Sequence, residues 1–93
     1  MTTQVKILLH AMFKETVGKG EITHELGSGS TLRMLLEEFA QKYGKDFKQI
    51  LNPKTGLIEV DTLVMLNGQS MRKPDVQLKD GDVVMITVPI GGG

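Results

Sequence analysis

The chain has 93 residues, with 11 basic and 11 acidic side chains and a formal net charge of zero. A balanced charge argues against general nucleic-acid binding, which needs a basic footprint to displace counterions. There is no cysteine, which excludes disulfides, a thiol nucleophile and a cysteine-based metal site. The length fits one domain with a modest core, and 40% apolar residues suffice to build it. The opening "MTTQVKILLH" lacks the apolar stretch and cleavage site of a signal peptide, and nothing approaches a membrane span. These features predict a small cytoplasmic protein that binds neither nucleic acid nor membrane and holds no metal.

Residues 4–12, "QVKILLHAM", alternate as a strand with Val5, Ile7, Leu9 and Ala11 on one face. "FKETVGKG", with Gly18 and Gly20, reads as the turn of a hairpin, and "EITHEL" as its second strand, with Ile22, His24 and Leu26 inward. Thr31 or Ser30 is a suitable N-cap for one main helix, "LRMLLEEFAQKYG". Its residues Leu32, Leu35, Leu36, Phe39, Ala40 and Tyr43 form one apolar stripe, and Gly44 stands where the helix should stop. "DFKQIL" adds a short turn before the loop "NPKTG". In "IEVDTLVMLNGQSM" the Asn67-Gly68 pair is a strong hairpin signal, since both residues tolerate positive φ. A tight Asp80-Gly81 turn then leads into a final strand, Val83 to Val88.

This order predicts an α+β fold: a mixed sheet of four to five strands with one main helix packed on one face. It corresponds to the β-grasp, or ubiquitin-like, architecture. Residues 1–88 form the domain and 89–93 a tail, "PIGGG". Glycine loses more conformational freedom on ordering than any other residue, so a glycine tail does not serve the fold.

Several stretches together resemble the MoaD/ThiS-type sulfur carriers, relatives of the small archaeal modifier proteins. "VKILLHAMFKETVG", "STLRMLLEEFAQKY", "VMLNGQ", "LKDGDVVMI" and the terminal "VPIGGG" occur in that family's order and cover essentially the whole chain. The resemblance implies that a ubiquitin-activating-like enzyme uses ATP to adenylate the carboxylate of Gly93, while the chain itself binds no cofactor and is not an enzyme by itself. A sulfur donor then makes a thiocarboxylate, whose sulfur goes to an acceptor such as a molybdopterin precursor held by the large subunit of molybdopterin synthase. Two departures from the family pattern bear on partner choice. Val88 replaces the first of two prolines, and His10 and Thr87 stand where many members carry large apolar or aromatic residues.

That chemistry explains the tail. Four extended residues reach at most roughly 14 Å, enough to thread Ile90 to Gly93 into a partner's cleft while the body docks outside. Gly91 and Gly92 keep the thread thin, and Pro89 stiffens its root. The first, third and last strands carry apolar residues on both faces, with "LVML" (Leu63 to Leu66) apolar throughout, and one helix covers only one face of the sheet. Leu8, Met12, Val83 and Met85 are therefore expected to form an exposed docking face.

Other residues invite less. His10 and His24 sit on different predicted strands, and no motif sets a carboxylate beside either. Glu37-Glu38 reads as a solvated helix face, Asp80 and Asp82 as turn formers, and Gly18 and Gly20 belong to no phosphate loop. Two alternatives stand beside the sulfur carrier: a ubiquitin-like modifier joined to lysines through Gly93, and a β-grasp binding module with an inert tail.

Overall fold

A computed structural model describes residues 2–89. Strands β1 (Thr2–Leu9), β2 (Glu21–Gly27), β3 (Leu63–Leu66), β4 (Gln69–Ser70) and β5 (Val83–Thr87) form one sheet in the order β2-β1-β5-β3-β4. Only β1 and β5 run parallel; the other pairs are antiparallel. The last strand thus lies in the middle of the sheet, beside the first. This is the β-grasp arrangement.

The helix α2 (Leu32–Tyr43) covers one sheet face. Its Leu32, Leu35, Leu36 and Phe39 are buried with Val5, Ile7 and Leu9 of β1, Val84 and Ile86 of β5, and Val64 of β3. Removing each such side chain from water contributes about 1.5–3 kcal/mol, so this layer dominates stability. The helix starts where expected: Thr31 Oγ1 accepts from the Met34 amide at 3.3 Å. Two more N-terminal amides are met from outside the helix, Leu32 by the Val76 carbonyl at 2.9 Å and Arg33 by the Pro74 carbonyl at 2.8 Å. The strap leading from β4 to β5 is therefore also the helix's cap. Beyond α2, a 3-10 turn over Lys45–Gln49 places Phe47 against the ring of Phe39 at 5.6 Å.

The stretch after β1 differs from the sequence reading. The strand ends at Leu9, and residues expected to continue it and turn a hairpin instead form a second helix, α1 (Ala11–Val17). Ala11 is exposed rather than inward, Met12 is off the sheet, and His10 is the residue preceding the helix. A seven-residue helix is not stable alone. It is anchored by Phe13, which is buried with its ring 5.1 Å from Phe47. Gly18 is not a hairpin residue but the helix stop, at φ 88° with its amide donating to Lys14 O at 2.7 Å.

The other turns match their sequence signals. Asn67 and Gly68 have φ of 52° and 84° and set the register Leu66↔Gln69, as a two-residue hairpin requires.

Candidate functional site: the open sheet face and the exit of the central strand

Strand alternation sends Val84 and Ile86 toward α2 and leaves Val83, Met85 and Thr87 on the opposite face. Cross-strand register places Leu8 of β1 beside Met85, and Met85 beside Met65 of β3. All three are half-buried and lie on one line across the three central strands. Val83 lies one step back, beside Lys6, whose ammonium is 3.7 Å from Glu21 of β2. Of the four residues expected on a docking face, Leu8, Val83 and Met85 are thus on this open face. Met12 is on α1, which packs against β5, with 39% of its surface exposed. Met65 and Leu63, from the apolar run "LVML", share the open face although they are not among the four expected docking residues. That run is apolar throughout, so which of its residues face outward follows from its register with β5.

The start of β5 is heavily tied. Asp82 accepts from the Lys79 amide at 2.8 Å and from Asn67 Nδ2 at 2.9 Å. Asn67 Oδ1 in turn accepts from the Val83 amide at 2.9 Å. Asp80 accepts from the Gln4 amide of β1 at 2.8 Å, and Gly81 donates to Gln4 O. The "KDGD" turn therefore welds β5 to β1 on one side and to the β3–β4 turn on the other. Asp82 closes its own turn, as expected of an aspartate there; Asp80 reaches across the sheet instead.

The far end of β5 is different. Its last pairings are Ile86 with Leu9 and Thr87 with Leu63. Val88 still packs against the core, and Pro89 is exposed. The predicted site residues Ile90, Gly91, Gly92 and Gly93 lie outside the described residues.

Two polar pairs occupy the helix side. His24 is half-buried on β2, edge-on to Phe39, with Nε2 facing the carboxylate of Glu38 on α2. A carboxylate does stand beside a histidine, contrary to expectation. It comes from the packing of α2 on β2, which no local spacing encodes. Arg33 forms a bidentate pair with Asp75 at 2.7 and 3.0 Å and donates to Gly56 O at 2.9 Å. The hydrogen bond from Arg33 holds the Asp75 carboxyl below the usual carboxylate range, and Asp75 raises Arg33. Both pairs tie structural elements together. Among the described residues no three His, Cys, Asp or Glu side chains gather to hold a metal, and no helix is long and apolar enough to cross a membrane.

A β-grasp domain with an apolar open face and a central last strand defines a class, the ubiquitin-like proteins. Within it the comparisons are specific. The ThiS family model matches residues 7–93, and the chain belongs to that family, the MoaD/ThiS-type ubiquitin-like sulfur carriers. It is 32% identical over 91 residues to a molybdopterin synthase sulfur carrier subunit from Chlamydomonas reinhardtii, covering 97% of this chain and 99% of the relative. A Pyrococcus furiosus structure assigned as molybdopterin converting factor subunit 1 superposes with a TM-score of 0.78 at 29% identity, covering 95% of this chain and 99% of that one. The small archaeal modifier protein 1 from Methanosarcina acetivorans shares the fold, with a TM-score of 0.74 at 22% identity over 100% of this chain and 99% of its own.

Proposed function

We propose that the chain carries sulfur on the carboxylate of Gly93 and delivers it in molybdopterin biosynthesis, as the small subunit of a molybdopterin synthase. The observation that carries this reading is the position of β5. It is the central strand, fixed at its start, and its backbone ladders end at Ile86 and Thr87, so the segment leading to Gly93 starts from the middle of the sheet.

The chemistry needs little from the chain beyond reach. A carboxylate oxygen of Gly93 attacks the α-phosphorus of ATP, held by a ubiquitin-activating-like enzyme, and pyrophosphate leaves. The acyl-adenylate carbon is then attacked by a hydrosulfide-equivalent nucleophile from a donor, and AMP leaves. The resulting thiocarboxylate sulfur attacks a carbon of the precursor held by the large subunit and displaces an oxygen leaving group from it. Water then cleaves the acyl–sulfur bond, leaving the sulfur on the precursor and releasing the Gly93 carboxylate. ATP and the catalytic groups belong to the partners; the chain supplies the carboxylate, a thin tail and a docking face.

Leu8, Val83, Met85 and Met65 are the docking residues in this reading. Desolvating a contiguous apolar strip is what positions the tail, and methionine adapts to two successive partners. The direct test is incubation with the activating enzyme and ATP. The expected result is one adenylate per chain, located at Gly93 and abolished when one alanine is appended after it. A chain adenylated equally well with the extra alanine overturns the assignment of the terminus. High-mass adducts on lysines in place of a thiocarboxylate select the modifier reading.

A further inference from the structure

The parallel ladder between β1 and β5 follows a strict alternation. The Lys6 amide donates to Asp82 O at 2.9 Å, and the His10 amide donates to Ile86 O at 3.2 Å. The next bond in that series runs from the Val88 amide to the carbonyl of His10. It is not made. The His10 carbonyl is instead occupied by α1, accepting from the Phe13 amide at 3.2 Å and the Lys14 amide at 3.4 Å. Among the described residues the Val88 amide has no backbone acceptor. His10 itself stays extended, at ψ 167°; it is Ala11, at φ 55°, that turns the chain back and brings the α1 amides onto this carbonyl. Left-handed backbone costs a non-glycine residue roughly 1–2 kcal/mol, and of the described residues only Asn67, in its hairpin turn, shares that condition. On the other side of β5 the antiparallel ladder is stopped differently. Bonded pairs recur every second residue, so after Leu63↔Thr87 the next would need an amide at Pro89, which has none.

We propose that Ala11 is a positioning residue for the tail: by turning β1 into α1 it lets the Phe13 and Lys14 amides take the acceptor that would zip Val88 into the sheet. Ala11 and Pro89 end the two ladders flanking β5 within two residues of each other, and this fixes where the reactive segment begins. A longer β1 would capture Val88 and shorten the thread that must reach the activating enzyme's nucleotide. The assignment deepens the sulfur-carrier reading and rests on it for its functional consequence.

The experiment begins with amide exchange on the wild-type chain, which needs no partner. The Ile86 amide is expected to be protected and the Val88 amide to exchange faster by a factor of about ten or more. Equal protection at both overturns the proposal. The second arm is the double variant Ala11→Val, Phe13→Thr, which removes the tolerated turn residue and the anchor of α1. The expected result is new protection at Val88, retained protection at Phe39, and adenylation slowed by about tenfold or more. Protection gained at Val88 with adenylation unchanged overturns the positioning role. If the double variant does not fold, the wild-type exchange still decides. Ala11→Gly, which keeps the turn without strain, is expected to be adenylated at the wild-type rate; slowing in that variant also counts against the proposal. A wild-type chain that is never adenylated overturns the carrier reading, while the exchange arm still reports where the ladder ends.

Discussion

The two ends of β5 are built to opposite specifications. At its start, Asp80, Asp82 and Asn67 place three side chains on backbone amides of β1, β5 and the turn between them. At its exit no side-chain hydrogen bond holds the strand among the described residues, Val88 packs against the core, and the backbone ladders stop at Ile86 and Thr87. Five residues apart, the same strand passes from side-chain anchoring to a point where both backbone ladders have ended. The difference teaches that anchoring is graded along this strand: residues before Thr87 are held in the ladders, and the ladders do not reach Val88. Substitutions at the two ends should therefore have separable effects.

The largest expected effect is at the exit. Gly92→Val should lower adenylation by about a hundredfold or more, because a Cβ in a narrow channel misplaces the reacting carboxylate. Its melting temperature should match wild type, and a shift would break the separation. Next comes Met85→Asp on the open face, expected to weaken docking to the activating enzyme by about 2 kcal/mol, or about thirtyfold in Kd by titration calorimetry. At the start of β5 the pattern reverses. Asp82→Ala leaves the Lys79 amide and Asn67 without an acceptor and should cost about 1–2 kcal/mol in urea unfolding, with adenylation of the folded protein unchanged. Ala11→Gly should stabilise by about 0.5 kcal/mol, strain relief slightly exceeding glycine's extra unfolded-state entropy.

The smallest effect concerns pH. Asp75 has its pKa lowered on folding by Arg33, so the pair's contribution is present above the usual carboxylate range. It is lost as pH falls through the lowered value. Both groups are in contact with water, so the effect is small. Asp75→Asn should slightly lower stability at neutral pH and flatten its acid dependence, measured by thermal melts across the acid range.

Much of this could be read from the chain itself. The stripe from Leu32 to Tyr43, the cap at Thr31 and the Asn67-Gly68 turn are local signals, and each produced the element it predicts. The α1 helix was illegible because period-two alternation continues through Val5, Ile7, Leu9 and Ala11, and nothing nearby announces a break. What makes that helix is Phe13 meeting Phe47, a contact between residues far apart in sequence. The His24–Glu38 pair was hidden for the same reason. On the open face, alternation revealed Val83 and Met85 and carried Met65 too, while Met12 was misplaced along with the strand it was thought to extend. For the tail the sequence offers only composition joined to a familiar order of elements, and residues 90–93 lie outside the described residues.

The most direct test of the central claim is intact-mass analysis of the protein isolated from its own cells, before and after iodoacetamide. The chain has no cysteine, so a terminal thiocarboxylate is the clean site for rapid alkylation. The account predicts a sulfur-for-oxygen mass increase and a single alkylation mapping to Gly93. A terminus that stays a plain carboxylate, even when supplied with ATP, a sulfur donor and the activating enzyme, contradicts it.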